Sequence, residues 1–496
     1  MKIFISYPPY RSAKGIPCLT QNRQFQWFNN PSYIPPVVPM TAATMLAKAG
    51  HKVFWNDAIA QEWTYERFLN FLKKEKPDLW VTEVKTPVVK LCWKIIDEIK
   101  KVSPDTKIVM MGDHITAMPE ETFENSKTDF AIIGGDYDFL LKNLVENFKN
   151  GKIAQEKLST CIMCRENGEL KKGKTQLKYN LNDAPFIDRD LTKWKLYQQH
   201  WFRRTPGTYI MSARDCWWGK CTFCAWTTLY PQYRVRTPEN VLAEIGELIE
   251  KYKVREIMDD SGTIPVGNWL REFCNGMIER GYNKKVKMNC NLRAGAIKSQ
   301  KDYDLMAKAG FKLLLYGVES VNNETLKKIN KGRSNPYDIV EDCKMAKKAG
   351  LKPHLTVMMG YPWETKKDAE KTFTFIKDLL VKGLADSLQA TIVVPYPGTP
   401  LFDECKEKGL LATEDWNRYD MRESVMKSEL KQEEIMQFTY DMYASIARNP
   451  VFLYHQFLSI KDIYDFLYIV KAARQVLFGK FKDFGKENTE KKCDNC

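Results

Sequence analysis

The stretch Arg214-Asp-Cys-Trp-Trp-Gly-Lys-Cys-Thr-Phe-Cys224 sets three cysteines, Cys216, Cys221 and Cys224, within nine residues. It follows an apolar run, TYIMSA (208–213), that reads as a short strand. It precedes TPENVLAEIGELIEKY (237–252), whose apolar residues recur at helical spacing. The same rhythm repeats through REIMDDS (255–261), VKMNCNL (286–292), KLLLYGVES (312–320), PHLTVMMG (353–360) and SLQATIVVPY (387–396), with helical segments such as SNPYDIVEDCKMAKKAG (334–350) between them. Six βα units of this size predict a partial (β/α)6 TIM-type barrel over residues 206–405, with its chemistry at the C-terminal strand ends. The cysteine loop follows the first strand and lies on that edge.

Upstream, residues 1–150 show a second strand–helix alternation. KIFIS (2–6), KVFWND (52–57), LWVTEV (79–84), KIVMMG (107–112) and FAIIGG (130–135) are apolar runs separated by segments of helical length. That pattern predicts a Rossmann-like (flavodoxin-like) parallel sheet covered on both faces, so the overall class is α/β. Ligands of such sheets sit beyond the C-terminal strand ends. The loops there are YPPY (7–10), EVKTP (83–87), GDHITAMP (112–119) and GGDYD (134–138), and ordinary turn chemistry explains their composition equally well. Residues 151–205 read as a polar connector containing a hairpin with Asn167-Gly168 at its turn. Residues 406–496 read as a helical region with a polar tail. Within it 450–480 is rich in Phe, Tyr, Leu and Ile, but Asp462, Asp465, Lys471 and Arg474 interrupt any membrane-spanning reading. Packing of a helical pair on the barrel is the preferred reading of this segment, with contact at a membrane surface the alternative.

The bulk numbers agree with a multidomain folded chain: 496 residues, 44% hydrophobic and 28% charged. The N-terminus reads as a buried strand rather than a signal peptide, and the chain is expected to be cytoplasmic, with a peripheral membrane association as the variant of that reading. The net charge of +14 is spread among acidic residues rather than gathered in basic arms, so nucleic acid is not the expected partner. Thirteen cysteines scattered through such a chain are expected to be mostly reduced and buried. Only clusters of them can carry chemistry. Cys161 and Cys164 lie on one strand at odd spacing and face opposite ways, and Cys493 and Cys496 sit in the polar tail, so neither pair is expected to bind a metal.

Three thiolates from one loop bind soft metals, either zinc or an iron–sulfur cluster. A structural zinc site asks for four protein ligands, and no fourth is evident near this loop. A four-iron cluster held by three cysteines leaves one iron for a cofactor or substrate.

RDCWWGKCTFCAW resembles the cluster loop of the radical S-adenosylmethionine (SAM) superfamily, and the domain before it resembles the cobalamin (B12)-binding domain of one branch of that superfamily. The family loop has three residues between its first two cysteines. Here four separate Cys216 from Cys221, while two separate Cys221 from Cys224, and Gly219 offers a permissive bend. The resemblance implies a [4Fe–4S] cluster on Cys216, Cys221 and Cys224, with Phe223 packed beside it. It implies SAM contacts from Asp259, Asp260, Ser261 and Gly262 after the second strand and from Arg293 after the third. Glu319 and Ser320 would serve the ribose, and Gly360, Tyr361 and Pro362 of GYPWET the adenine. PYPGTPLF (395–402) is similar to a closing motif of the cobalamin branch. Trp217, Trp218, Phe223 and Trp226 are expected to enclose the site.

The cobalamin loop D-x-H-x-x-G is absent: YPPYRSAKG (7–15) has no histidine. A corrinoid would then be held by strand-edge groups, with Tyr10, Thr86, Asp113, His114, Thr116, Gly134, Gly135 and Asp136 as candidates. The activity implied is cobalamin-dependent methylation of an unactivated carbon on a small or lipid-like substrate, with an electron donor such as flavodoxin or ferredoxin. Radical rearrangement or ring closure without methyl transfer is the rival reading, and a non-catalytic iron–sulfur or zinc module the third. No catalytic side chain can be named from the sequence.

Overall fold

A computed structural model describes residues 1–18, 26–28, 32–149, 152–166, 168–198, 201–332 and 338–477. Asn167 of the connector turn, and Cys493 and Cys496, lie outside the described residues.

The N-terminal sheet is built from β1 (Lys2–Tyr7), β2 (Lys52–Asp57), β3 (Leu79–Glu83), β4 (Lys107–Met111) and β5 (Phe130–Ile132), paired in parallel in the order β2-β1-β3-β4-β5. Ile3, Phe4 and Ile5 are fully buried, as are all side chains of β3, because helices cover both faces. Those helices include α1 (Val37–Lys48), α2 (Tyr65–Glu75), α3 (Val89–Val102) and α4 (Tyr137–Asn147). This is the 2-1-3-4-5 order of flavodoxin-like sheets, and it places the switch point between β1 and β3. There the Tyr7 hydroxyl donates to Glu83 Oε2 at 2.8 Å.

The connector hairpin, β6 (Ile162–Glu166) and β7 (Glu169–Lys172), is not a separate unit. Ile162 pairs antiparallel with Ile132, so the hairpin extends the N-terminal sheet beyond β5. On β6, Cys164 is buried, while Cys161 just before it is exposed. The adjacent buried side chains Ile162 and Met163 explain why an otherwise polar segment joins the sheet.

The second sheet is wholly parallel and in sequence order: β8 (Gly207–Ile210), β9 (Glu256–Asp259), β10 (Lys287–Leu292), β11 (Phe311–Glu319), β12 (Lys352–Met359) and β13 (Ser387–Ile392). Its crossover helices include α6 (Pro238–Glu250), α7 (Asn268–Glu279), α8 (Gln300–Lys308), α9 (Asp338–Lys348) and α10 (Lys366–Val381), and a short α5 (Trp226–Leu229) follows the cysteine loop. Local signals set these starts. Thr237 caps α6 with Pro238 at its first position, and Thr365 and Asp368 form a reciprocal capping box on α10.

The segment after β13 does not simply begin a helical tail. Val393, Val394, Tyr396, Leu401, Phe402, Trp416, Tyr419 and Met426 join the same buried cluster as the N-terminal sheet. The run from 393 to about 426 therefore fastens the barrel to the N-terminal domain. Only then come α11 (Gln432–Ala447), α12 (Pro450–Leu458) and α13 (Ile463–Leu477). Among the described residues, no helix is long and apolar enough to cross a membrane.

Candidate active site

The C-terminal ends of β8 to β13 surround a cavity of about 1240 Å³, counting the solvent at its mouth. Cys216, Cys221 and Cys224 all line it, with Phe223, Gly262, Arg293 and Glu319. The loop carrying the cysteines is anchored from both sides. Thr222 N donates to Ile329 O at 3.0 Å, and the Leu401 N donates back to Thr222 O at 2.9 Å. At its start, the buried Arg214 guanidinium reaches into the N-terminal domain. It donates to Asp138 through both terminal nitrogens (2.9 and 2.5 Å) and to Asp136 Oδ1 at 2.9 Å.

The thiols sit in a mixed field. Burial pushes the Cys221 thiol up; the Lys331 ammonium and, less strongly, Arg293 pull it down, the Glu319 carboxylate and Cys216 add to the rise, and the thiol stays above its ordinary value. Burial likewise lowers the Arg293 guanidinium, opposed by Cys221 and Cys216. Arg293 lies over the Trp218 ring at 4.3 Å and the Trp217 ring at 5.3 Å, and it donates to Lys331 O. Its guanidinium is thus fixed between aromatic faces before any ligand arrives.

Two glycines clear the space beside these groups. A methyl group on Gly262 would fall 1.8 Å from Asp215 Oδ1 and 3.2 Å from Cys216 Cβ. One on Gly317 would meet Glu319 Oε1 at 2.5 Å and Lys331 Nζ at 2.8 Å. Between Gly317 and Glu319 the β11–β12 register shifts, and Glu319 takes a left-handed backbone with φ 64°. Such irregularities re-aim side chains, and here the carboxylate faces the cavity. Lys331 Nζ meets it at 2.6 Å.

The expected cluster and SAM contacts divide into two groups. Phe223, Gly262, Arg293 and Glu319 line the cavity; Asp259, Asp260, Ser261, Ser320, Gly360, Tyr361 and Pro362 do not. Asp259 instead closes the end of β9, accepting from Ser261 Oγ at 2.6 Å and from the amides of Ser212 and Ser261. Ser320 Oγ donates to Glu364 Oε1 at 2.7 Å, and Thr325 Oγ1 donates to the same oxygen at 2.8 Å. Burial raises this Glu364 carboxyl to about 7, against the opposing pull of those hydroxyls. Tyr361 is buried and stacked with Trp363. These residues support the wall from behind.

The aromatic enclosure is also divided. Of its four members only Phe223 lines the cavity. Trp218 packs on Arg293 and donates to Asn330 O at 2.7 Å, Trp226 lies in the interdomain core, and Trp217 is 39% exposed. The tryptophans brace the loop from outside because the loop turns its small residues and sulfurs inward.

The residues suggested for a corrinoid do not gather around one cavity. Asp136 is committed to Arg214, Arg234 and Tyr179, and the charge of the two arginines holds its carboxyl below the usual range against the effect of burial. Gly135 lies under the Tyr230 ring. His114 is enclosed between Thr86, Glu121 and the Trp416 ring. Asp113 faces Lys85, and Thr116 Oγ1 accepts from Gly134 N. Tyr10 lines a separate cavity at the ends of β1 and β2, with Arg11 and Trp63. Asp136 and Gly135 are spent on the domain junction and are not open to a ligand.

Lys331, Asn291, Thr356, Gln389 and Thr391 line the main cavity without having been singled out in the sequence. Lys331 is one of 76 lysines and arginines, and only its place in space distinguishes it. The others are ordinary strand polars whose inward direction depends on register.

The donor set fits a multinuclear cluster. Among the described residues no three His, Cys, Asp or Glu side chains converge closely enough to hold a single metal ion. In an iron–sulfur cluster each thiolate takes its own iron, so three cysteines around one cavity suffice.

Residues 210–376 match the Radical SAM superfamily, and residues 31–139 match the B12 binding domain. The chain is 26% identical over 480 residues to an uncharacterized methyltransferase of Pyrococcus horikoshii, covering 95% of this chain and 97% of that one. It is 25% identical over 402 residues to the anaerobic magnesium-protoporphyrin IX monomethyl ester cyclase of Cereibacter sphaeroides, covering 79% of this chain and 63% of that one. In fold it is similar to the radical SAM methyltransferase TsrM of Kitasatospora setae, solved with cobalamin and a [4Fe–4S] cluster, at TM-score 0.69 and 13% identity. That match covers 96% of this chain and 99% of TsrM. The cobalamin-dependent SAM radical enzyme OxsB aligns at TM-score 0.68 and 17% identity, covering 98% of this chain and 75% of OxsB.

Proposed function

Since this chain belongs to the radical SAM superfamily, in the branch that also carries a B12 binding domain, we propose that it methylates an unactivated carbon of a small organic substrate held at the barrel's C-terminal strand ends. The observation that carries the reading is the shared lining of one cavity. Three cysteines line it together with the charged Arg293, Glu319 and Lys331 and the uncharged Leu315, Thr356, Met358, Gln389 and Thr391.

Cys216, Cys221 and Cys224 are the residues to hold a [4Fe–4S] cluster. When bound, the cluster with SAM supplies a carbon-centred radical on one-electron reduction, and cobalamin supplies a methyl group for transfer. Lys331 and Arg293 offset part of the burial that disfavours thiolate at Cys221, and coordination to a metal would supply the rest. Arg293, held between its two tryptophans, offers a fixed cation to a carboxylate, and Glu319 offers an anion to an ammonium group. Together they suit an amino-acid-like cofactor. Gly262 and Gly317 keep clear the space that such a ligand needs. Leu315, Met358 and Val394 keep water from the reacting atoms. The electron would come from a donor such as flavodoxin or ferredoxin. A corrinoid is assigned to the N-terminal domain as a whole, because the individual side chains suggested for it are mostly engaged elsewhere.

Methyl-deuterated SAM tests the reading. Anaerobic incubation of the reconstituted enzyme with dithionite, labelled SAM and a small-molecule extract of the source cells should place the labelled methyl on an extract compound. Ring closure, the activity for which the Cereibacter cyclase is named, would change an extract compound while leaving it unlabelled, and that outcome would replace methylation with the rival reading.

A further inference from the structure

The helices α12 and α13 seat mainly polar and aromatic side chains against the barrel, with Phe452 of α12 packed on its core. On α13 the inward face carries the buried Asp465 and the half-buried Tyr464 and Tyr468. Arg203 donates to Asp465 Oδ1 at 2.7 Å, and Lys312 and Lys352 meet its other oxygen at 3.0 and 3.3 Å. The Arg203 and Arg204 guanidinium groups lie over the rings of Tyr468 and Tyr464. On α12, Gln456 donates to Asp386 O at 2.9 Å, and the His455 ring fills the space beside Gly383.

The opposite faces are apolar and bare. Leu453, Tyr454, Phe457 and Leu458 of α12 are 51%, 60%, 68% and 58% exposed. Ile463, Phe466 and Leu467 continue the patch on α13 at 60%, 47% and 55%. At 3.6 residues per turn, these positions fall on the arc opposite the ion-paired one in each helix. Helices folding only for burial against their own domain would turn these seven residues inward as well. Large contiguous apolar surface of this kind marks an interaction site.

We propose that this face docks on the surface of an anionic lipid bilayer. Charge separates that occupant from a second copy of the chain. Within the described residues of α12, α13 and their link, the two acids, Asp462 and Asp465, are both turned inward and paired with Arg204 and Arg203. The two lysines, Lys461 and Lys471, are both exposed, Lys461 with its charge unneutralised while it donates to Gly350 O at 3.2 Å. A face whose outward charges share one sign repels its own copy and attracts anionic headgroups, and the chain's net charge of +14 adds to that attraction. The helices lie in the plane of the interface, because none is long and apolar enough to cross it.

The docked face is at the far end of the barrel from the cavity. Lys312 and Lys352, which seat Asp465, stand at the beginnings of β11 and β12, whereas Glu319 stands at the end of β11. Docking therefore leaves the cavity mouth turned away from the bilayer. The exposed helices are thus no argument for a lipid substrate. The inference holds whichever reaction the cavity performs.

Vesicle flotation tests it with the full chain carrying its cofactors. Binding to mixed phosphatidylglycerol–phosphatidylcholine vesicles should exceed binding to phosphatidylcholine alone and weaken with salt. It should fall at least about tenfold in a Phe457→Glu/Leu467→Glu variant whose circular dichroism and 5′-deoxyadenosine formation match the parent. Equal binding by parent and variant would overturn the proposal. So would absence of vesicle binding, whether or not sedimentation shows a dimer that the variant loses, since such a dimer would assign the face to a second copy.

Discussion

At the scale of single residues, the site combines sulfurs that are legible in the sequence with partners that are not. Cys216, Cys221 and Cys224 stand out by spacing, and Arg293 and Glu319 by their places at strand ends. Lys331 and Glu364 carry no such mark. Glu364 belongs to the GYPWET segment, yet its carboxylate serves Ser320 and Thr325 rather than lining the cavity. Its folded value of about 7, raised by burial from 4.5, gives a pH signature. Because the folded fold prefers the protonated acid, the stability linked to this group is complete below about 4.5. It is lost as pH rises through about 7. In Glu364→Gln this titration is absent. The variant's stability relative to the parent should therefore rise between those values by up to about 3 kcal/mol, read by urea denaturation across pH. A difference that stays flat would mean that Glu364 is ionised and solvated in the folded chain.

At the scale of elements, the decisive contact is between the start of the cysteine loop and the N-terminus of α4. Asp138 has no exposed side-chain surface, and Arg214 retains 7%. Breaking a buried pair leaves an uncompensated charge, so Arg214→Met should cost about 3–5 kcal/mol. Arg214→Met/Asp138→Leu should cost less than the sum of the single changes, because neither partner is then left charged and alone. Additive losses in a double-mutant cycle of denaturation free energies would show that the two side chains act independently. The strands on either side of this contact were readable. Runs such as KIFIS and KIVMMG are apolar or nearly so after their first residue, as strands with both faces covered must be. Less readable was the role of the connecting chain. Ile162–Glu166 adds an antiparallel strand to the first sheet, and 393–426 packs on the N-terminal core. Both are consequences of long-range pairing, which a local pattern of apolar residues does not encode.

At the scale of the whole molecule, the N-terminal sheet and the barrel are joined by charge pairs and a shared apolar core, with the cysteine loop at that junction. The fold class could be inferred from the two strand–helix series. The placing of the corrinoid candidates could not, since Asp136, Gly135 and His114 are strand-end residues of the expected type against which Arg214, Tyr230 and Trp416, all from later in the chain, then pack. The account rests on the three cysteines acting together to permit reductive cleavage of SAM, and one measurement addresses that directly. The anaerobically reconstituted chain, supplied with dithionite and SAM, should release 5′-deoxyadenosine. Cys216→Ala, Cys221→Ala and Cys224→Ala should each abolish that release together with the iron–sulfur absorbance, while Cys161→Ala leaves both near the parent level. Undiminished 5′-deoxyadenosine from any of the first three variants, or its absence from the parent chain with the iron–sulfur cluster intact, would contradict the account.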